Sequence, residues 1–130
     1  MPDFGSRSRA ALVTTDRRLV AVMYSVIPWF DFSVLEGHRD EDAQNAAYDA
    51  GNSKKRWPDG KHNTLPSNAV DVAPYPVDWG GEERFVYLAG AIMGAARAMG
   101  IPLRWGGDWD MDTEVRDERF RDLGHFELTD

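Results

Sequence analysis

Residues 60–76, GKHNTLPSNAVDVAPYP, combine a polar stretch rich in turn-forming residues with a short apolar run that is typical of a buried strand. Alternation along a strand places Val70 and Val72 on one face and Asp71 on the other. His62 lies in the polar stretch that leads into this strand. A carboxylate inside an apolar strand, close in sequence to a histidine, points to a metal site as one explanation.

The composition indicates a folded domain and limits the residue types that could bind a metal ion. The chain has 130 residues, of which 42% are hydrophobic and 12% aromatic, enough for one compact domain with its own core. The formal net charge of −7 argues against binding nucleic acid through a broad basic surface. Because the chain has no cysteine, disulfides are excluded, and a zinc site would have to use histidine and carboxylate ligands.

The sequence has no obvious targeting segment or linker. Charges are scattered through its first twenty residues, which lack the apolar core of a signal peptide. No window approaches the roughly 18 apolar residues of a membrane span. We therefore expect no signal peptide, no membrane contact and synthesis in the cytoplasm, with residues 1–130 forming a single domain.

Periodic apolar residues predict three helices, over residues 8–27, 40–50 and 82–99. The buried stripe of the first is expected to contain Leu12, Thr15, Leu19, Val22 and Val26, and that of the third Phe85, Leu88, Ile92, Ala95 and Met99. Short apolar runs predict strands at FSVL (32–35), AVDV (69–72), PLRW (102–105) and HFEL (125–128). This order of elements predicts an α+β domain, in which about three helices pack on a small, mostly antiparallel sheet.

Two of the three histidines could join Asp71 at a metal ion. Alternation in HFEL puts His125 and Glu127 on one face and two apolar residues on the core side, while His62 comes from the loop before Asp71. Two imidazoles and one carboxylate can hold zinc with a fourth position open, which is the pattern of catalytic zinc and of water activated at neutral pH. Taken singly, each histidine is more often a hydrogen-bonded structural residue, and Asp71 could equally cap a turn or pair with an arginine.

Four blocks of the sequence, in this order, resemble the LAS-type zinc peptidases. The blocks are VLEGHRDEDAQNAAYDAGNSK (34–54), GKHNTLPSNAVDVAPYP (60–76), LRWGGDWD (103–110) and DLGHFEL (122–128). That group includes D-Ala-D-Ala carboxypeptidases and dipeptidases, and the phage L-alanyl-D-glutamate endopeptidases are its most similar branch. The resemblance covers about residues 31–128 and implies a fold like that of Hedgehog and the D-Ala-D-Ala peptidases.

The resemblance implies roles for individual residues. His62, Asp71 and His125 correspond to the three zinc ligands, although eight residues separate the first two here and six is the common number. Asp122 corresponds to the acidic residue that takes a proton from water and returns it to the leaving amine. Arg39 corresponds to the arginine that steadies the substrate carbonyl and its developing oxyanion. Four further residues are expected to shape the site or contact substrate: Gln44, Ser53, Asp108 and Trp109.

The identity of the catalytic base stays open on the residues alone. Strand alternation favours Glu127, because it shares a face with His125, whereas the family pattern favours Asp122, which we adopt. Glu127 could instead be an outer or exposed carboxylate, and Asp122 could cap a turn. Arg39 could form a surface ion pair with a neighbouring acid.

The resemblance implies an endolysin. We expect a monomeric zinc peptidase of one catalytic domain, without a separate wall-binding domain, that hydrolyses the L-Ala–D-Glu bond of the peptidoglycan stem peptide with zinc-activated water. It would stay in the host cytoplasm until lysis and then act on the cell wall. The alternatives are a D-Ala-D-Ala carboxypeptidase or dipeptidase, a zinc-containing wall-binding module without activity, and a phage tail component that cuts the wall during entry.

Overall fold

The computed structural model describes residues 1–116 and 121–130. The described residues form four α-helices: α1 (Ser6–Val13), α2 (Arg17–Val26), α3 (Glu41–Asp49) and α4 (Glu82–Ala98). They also form a 3-10 turn at Lys61–Asn63 and four strands: β1 (Phe32–Glu36), β2 (Ala69–Pro74), β3 (Leu103–Trp105) and β4 (His125–Leu128). The predicted α+β class is confirmed. Within the described residues, no helix has the length and apolar character that a membrane crossing requires.

The four strands form one antiparallel sheet in the order β1-β2-β4-β3. The β2–β4 register sets Asp71 directly opposite His125, and the β3–β4 register sets Arg104 opposite Glu127. At the bulged end of β1, Glu36 pairs with Asp71. Because partners across a ladder point to the same face, the charged residues of all four strands gather on one side of the sheet.

The other side of the sheet faces the hydrophobic core. Its strands contribute Phe32, Val34, Val70, Val72, Leu103, Trp105, Phe126 and Leu128, all buried. Helix α4 packs on β2 and β3, α2 packs on α4, and α1 packs on β1. Helix α3 and the 3-10 turn contact each other near the polar side, so the sheet separates the core from the polar cluster.

The single helix predicted over residues 8–27 is wrong, because the chain forms two helices with a break at residues 14–16. The Asp16 side chain accepts a hydrogen bond from the Arg18 amide at 2.9 Å and so caps the start of α2. The amide of Ser67 donates to the Thr14 carbonyl at 2.7 Å, and the Asp16 amide donates to the Ser67 carbonyl at 2.9 Å. In a continuous helix, the Thr14 carbonyl and the Asp16 amide would form hydrogen bonds within the helix, but here both are bonded to Ser67. The predicted stripe is nevertheless buried throughout: Leu12, Thr15, Leu19, Val22 and Val26.

The other two helices lie within one residue of the predicted bounds. Asp40 caps α3 by accepting from the Ala43 amide at 2.9 Å, and Gly51 just beyond its end has a φ of 79°, which glycine adopts readily. Met99 was expected in the buried stripe of α4 but is 44% exposed, and the predicted Ala95 is half-buried, because the buried face runs through Ala96. The residues that α4 buries are Phe85, Leu88, Ala89, Ile92 and Ala96.

Candidate functional site

The structure brings His62, Asp71 and His125 together, with one possible ligand atom from each lying within 4.8 Å of the others. Asp71 Oδ1 is 3.2 Å from His62 Nε2 and 3.1 Å from His125 Nδ1. The pairing of β2 with β4 supplies two of these side chains, and the 3-10 turn supplies the third. Both imidazoles are buried, so the cluster is a built feature of the polar side of the sheet.

The outer nitrogen of each imidazole is held by a hydrogen-bond acceptor. His62 Nδ1 lies 2.7 Å from the Gly37 carbonyl oxygen, and His125 Nε2 lies 2.8 Å from Glu127 Oε1. In a neutral imidazole these nitrogens carry the proton, which leaves His62 Nε2 and His125 Nδ1 with lone pairs that face Asp71. Metal-binding histidines are oriented in this way by carbonyl and carboxylate partners.

The protonation of the cluster fits a site built for a cation. Burial alone would raise the pKa of Asp71, but the hydrogen bonds from His125 and His62 outweigh it and hold that pKa well below its usual range. Burial would lower the pKa of His125, yet its bonds to Asp71 and Glu127 raise it to about 9 in the metal-free protein. In the metal-free protein His125 therefore retains its proton between the carboxylates of Asp71 and Glu127, and a divalent ion bound to the three groups would replace the proton on Nδ1. Two imidazole nitrogens and a carboxylate oxygen form a donor set that suits zinc.

The two carboxyl groups near the cluster differ in their surroundings. Glu127 is engaged at both oxygens, by His125 and by Arg104 Nη2 at 3.0 Å. Burial would raise its pKa, but these partners lower it. Asp122 is half-buried just before β4, and its pKa is raised, first by burial and then by the negative charge of Asp71. The expected alternation of Glu127 with His125 is confirmed, and Asp122 is the carboxyl group with increased proton affinity.

Arg39 is built into the site by four hydrogen bonds. Its Nη2 lies 3.1 Å from Asp71 Oδ2 and 3.0 Å from Glu36 Oε2, its Nε lies 2.8 Å from Glu36 Oε1, and its Nη1 lies 3.1 Å from Gln44 Oε1. Gln44 is buried and also donates to Ser53 Oγ at 3.0 Å. The surface ion pair considered for Arg39 is thus replaced by an internal network. Glu36 was missed from the sequence, because its role depends on the β1–β2 register.

The two histidines of the cluster line a groove of about 490 Å³, together with Arg39, Gln44, Ser53, Trp109 and Asp122 among others, whereas Asp71 lines the cavity next to it. A second cavity of about 550 Å³ adjoins it and shares Arg39, Asn52 and Asp122 with the first. Asp122 therefore lines both cavities. The ring of Trp109 lies 5.5 Å from that of His125, so it forms part of the wall next to the cluster.

Asp108, the remaining residue predicted at the site, is engaged in its own loop. Its carboxylate accepts hydrogen bonds from the amides of Asp112 at 3.2 Å and Thr113 at 3.0 Å. It is absent from the lining of the groove as far as the described residues show, whereas its neighbour Trp109 is part of it.

These features are typical of a metal-dependent hydrolase. Two imidazoles and a carboxylate gather on the polar side of the sheet in an α+β domain, and a carboxyl group of raised pKa lies beside them. The family model described as phage L-alanyl-D-glutamate peptidase matches residues 2–129. The chain belongs to this peptidase family, and the sequence-based assignment is confirmed.

Two known proteins show the same relationship at the level of whole chains. The L-alanyl-D-glutamate peptidase of Escherichia phage T5 is 33% identical over 135 residues, covering 96% of this chain and 96% of the relative. The crystal structure of the Serratia marcescens L-Ala D-Glu endopeptidase ChiX has a TM-score of 0.76 at 30% identity, covering 98% of this chain and 91% of that one. The fold and the family thus agree over nearly the full length.

Proposed function

We propose that this chain is a zinc-dependent endopeptidase that hydrolyses the L-alanyl–D-glutamate bond of the peptidoglycan stem peptide. The observation that carries the proposal is the buried cluster of His62, Asp71 and His125 in a groove beside Asp122, in a chain that matches this peptidase family from residue 2 to residue 129. The names of the phage T5 and Serratia relatives supply the bond that is cleaved.

Three atoms would hold the zinc ion: His62 Nε2, Asp71 Oδ1 and His125 Nδ1. A bound zinc ion supplies Lewis acidity, which polarises the scissile carbonyl and makes water more acidic. The Gly37 carbonyl and the Glu127 carboxylate keep the two imidazole rings in the ligating orientation. The protein thereby orients the ligands before any substrate binds.

Asp122 is the proposed proton carrier. Its raised pKa suits a group that must accept a proton from the attacking water and then deliver it to the leaving nitrogen. In that sequence the water oxygen forms the new bond to carbon, and the C–N bond of the alanyl–glutamyl peptide breaks. Asp122 lines both cavities, so a peptide that lies along the groove would pass beside it.

Arg39 is the proposed source of positive charge for the developing oxyanion. Glu36 and Gln44 fix the plane of its guanidinium, which lies against Asp71 in the wall of the groove. A charge held in place before reaction needs little reorganisation, which is the main advantage of preorganised electrostatic stabilisation. Gln44 and Ser53 then act by holding Arg39 and the neighbouring loop.

The similar proteins favour an endopeptidase over the carboxypeptidase and dipeptidase alternatives. The L-Ala–D-Glu bond lies inside the stem peptide, and both relatives are named for the cleavage of that bond. We further propose that the described sheet and its single core form one catalytic domain that works as a monomer on the wall at lysis, after accumulating in the host cytoplasm.

Muropeptide analysis tests the proposal. Purified peptidoglycan is digested with zinc-loaded protein, with chelated protein and with the variant Asp122→Asn, and the fragments are identified by mass spectrometry. We expect new L-alanine carboxyl ends and D-glutamate amino ends from the loaded protein only, with unchanged zinc content in the variant. Release of terminal D-alanine alone would indicate a carboxypeptidase. Wall binding without cleavage would indicate an inactive module, and full activity of the variant would exclude Asp122 as the proton carrier.

A further inference from the structure

Arg104 lies on the polar side of the sheet, next to the proposed zinc ligands. The β3–β4 register sets it opposite Glu127, and its Nη2 donates to Glu127 Oε2 at 3.0 Å. Glu127 in turn holds His125 through its other oxygen. The Arg104 side chain is 35% exposed and lines the groove, so its guanidinium is anchored on one side and open to a ligand on the other.

The guanidinium of Arg104 is only partly engaged by the protein. Among the buried side-chain nitrogen and oxygen atoms of residues 1–116 and 121–130, its Nε alone has no hydrogen-bond partner. Arg39, the other arginine of the groove, has all three nitrogens bonded to Glu36, Gln44 or Asp71. A guanidinium offers five N–H donors in a planar fork that matches a carboxylate. Arg39 is thus a fixed part of the wall. The Nε of Arg104 is buried, but its guanidinium is held among the described residues by Glu127 at Nη2, and the exposed part of the side chain faces the groove, where an incoming anion can bind.

The groove is locally basic although the chain carries a net charge of −7. Among the described residues, its lining includes five basic residues and three acidic ones, and a fourth carboxylate, Asp71, lies against the two histidines of the lining. The basic residues are Arg39, Lys54, Lys55, Lys61 and Arg104. Charged groups that gather in a cleft against the overall charge of a protein favour a ligand of the opposite sign. The groove therefore suits a peptide that carries carboxylates.

The substrate of the proposed reaction has such a carboxylate close to the bond that breaks. A glutamyl residue carries two carboxyl groups, of which one continues the peptide and the other stays free. His125 and Arg104 are diagonal neighbours across β4 and β3, an arrangement that separates residues by about 7–8 Å. An arginine side chain and a glutamyl residue together span that distance. Resting on the proposed function, we propose that Arg104 binds the free carboxylate of the glutamyl residue. It thereby selects a substrate with this free carboxylate over one in which it is a carboxamide.

The same contacts allow a positioning role, in which Arg104 acts only by holding Glu127 against His125. The two roles predict different behaviour toward a substrate whose free carboxylate is converted to a carboxamide. A carboxylate-binding arginine distinguishes the two substrates, and its removal affects mainly the acid. An arginine that only positions His125 affects both substrates equally, because the catalytic groups are the same for each.

The experiment compares two synthetic L-alanyl–D-glutamyl peptides, one with the free glutamyl carboxylate and one with the carboxamide, as substrates of the zinc-loaded protein. The variants are Arg104→Gln and Arg104→Lys, with Arg97→Gln on the exposed end of α4 as the matched control. We expect the wild type to prefer the acid. Arg104→Gln should lose about 10- to 100-fold in kcat/KM on the acid, mainly through KM, and less than about threefold on the amide. Arg104→Lys should retain part of the preference, and the control should match the wild type.

Three outcomes would overturn the assignment: a wild type that cleaves both peptides equally well, equal losses of Arg104→Gln on both peptides, or no loss on the acid. The first needs no variant, so the test stands even if a substitution prevents folding. Zinc content and circular dichroism accompany each assay. A wild type that cleaves neither peptide would instead refute the proposed function, and this inference with it, whereas cleavage without preference refutes the role of Arg104 alone.

Discussion

Replacing Gly106 with alanine should strongly lower the hydrolytic activity although every proposed catalytic and metal-binding side chain remains. Gly106 follows β3, its amide donates to the His125 carbonyl at 2.8 Å, and its carbonyl accepts from the Asp122 amide at 2.8 Å. A Cβ atom at this position would lie 2.2 Å from the Asp122 carbonyl oxygen and 3.0 Å from the Asp122 Cβ. The obstructing atom belongs to the backbone, so no side-chain rotation can relieve the contact.

The size of the effect follows from the distance. An ordinary contact needs about 3.2–3.4 Å, so the segment that carries Asp122 must move by about 1 Å, and a displacement of that size can lower a rate about 100-fold. The overpacking should also lower the free energy of unfolding by about 1–3 kcal/mol. Zinc content must be measured together with activity, because the Asp122 carbonyl that has to move also accepts a hydrogen bond from the amide of the ligand His125 at 3.1 Å.

The matched control is Gly90→Ala. Gly90 lies on the exposed side of α4, where an added Cβ meets nothing within 4 Å, so alanine should raise stability by about 0.5–1 kcal/mol and leave kcat unchanged. Both variants are assayed by peptide hydrolysis, by denaturant unfolding and for zinc content. Wild-type kcat in a folded, zinc-loaded Gly106→Ala protein would refute the reasoning that the position of Asp122 controls the reaction.

Three further predictions concern other parts of the site. Glu127→Gln should weaken zinc binding about 10- to 100-fold by calorimetry, because it disturbs the bond that orients His125, and unchanged affinity would show that this bond is dispensable. Trp109→Ala should raise KM about two- to tenfold, because it removes an aromatic side chain from the wall of the groove. The control Trp79→Ala removes an exposed ring that stacks on Phe85 away from the groove and should leave KM unchanged. Equal effects of the two variants on KM would contradict a role of Trp109 in substrate binding. In metal-free protein, the pKa of His125 is about 9 against 6.5 when unfolded, so its stabilising charge is fully present below pH 6.5 and is lost as the pH rises through 9. Thermal unfolding of chelated protein should therefore shift to lower temperature across this window, whereas a constant melting temperature would contradict the raised pKa.

The sequence predicted the elements that local pattern controls and missed the points that distant residues control. The apolar stripe from Leu12 to Val26 was correct, but the break within it depends on backbone bonds to Ser67, more than fifty positions away. Periodicity carries no information about such a partner. Met99 was misplaced because the buried face of α4 runs through Ala96, and the sequence pattern alone does not separate this face from one through Ala95.

The site shows the same division. Alternation correctly placed His125 and Glu127 on one face, and the resemblance to a family selected the residues that meet in space. Alternation could not tell that Glu127 is engaged at both oxygens, because its bond to Arg104 depends on the register of β3 against β4. The roles of Glu36 and Arg104 became visible only once the order and register of the strands were known.

The cluster also has a mechanical consequence. The chain has no cysteine, so no disulfide joins its distant parts. Asp71 and His125 stand 54 positions apart along the chain and face each other in the sheet, and His62 reaches them from a separate turn. A cation held by all three would crosslink these distant parts of the chain reversibly. Its binding would increase the free energy of unfolding by about 2.7 kcal/mol when free zinc is at a hundred times its dissociation constant. The supply of zinc around the protein would then govern how long the molecule survives heat and proteases, independently of how fast it cuts.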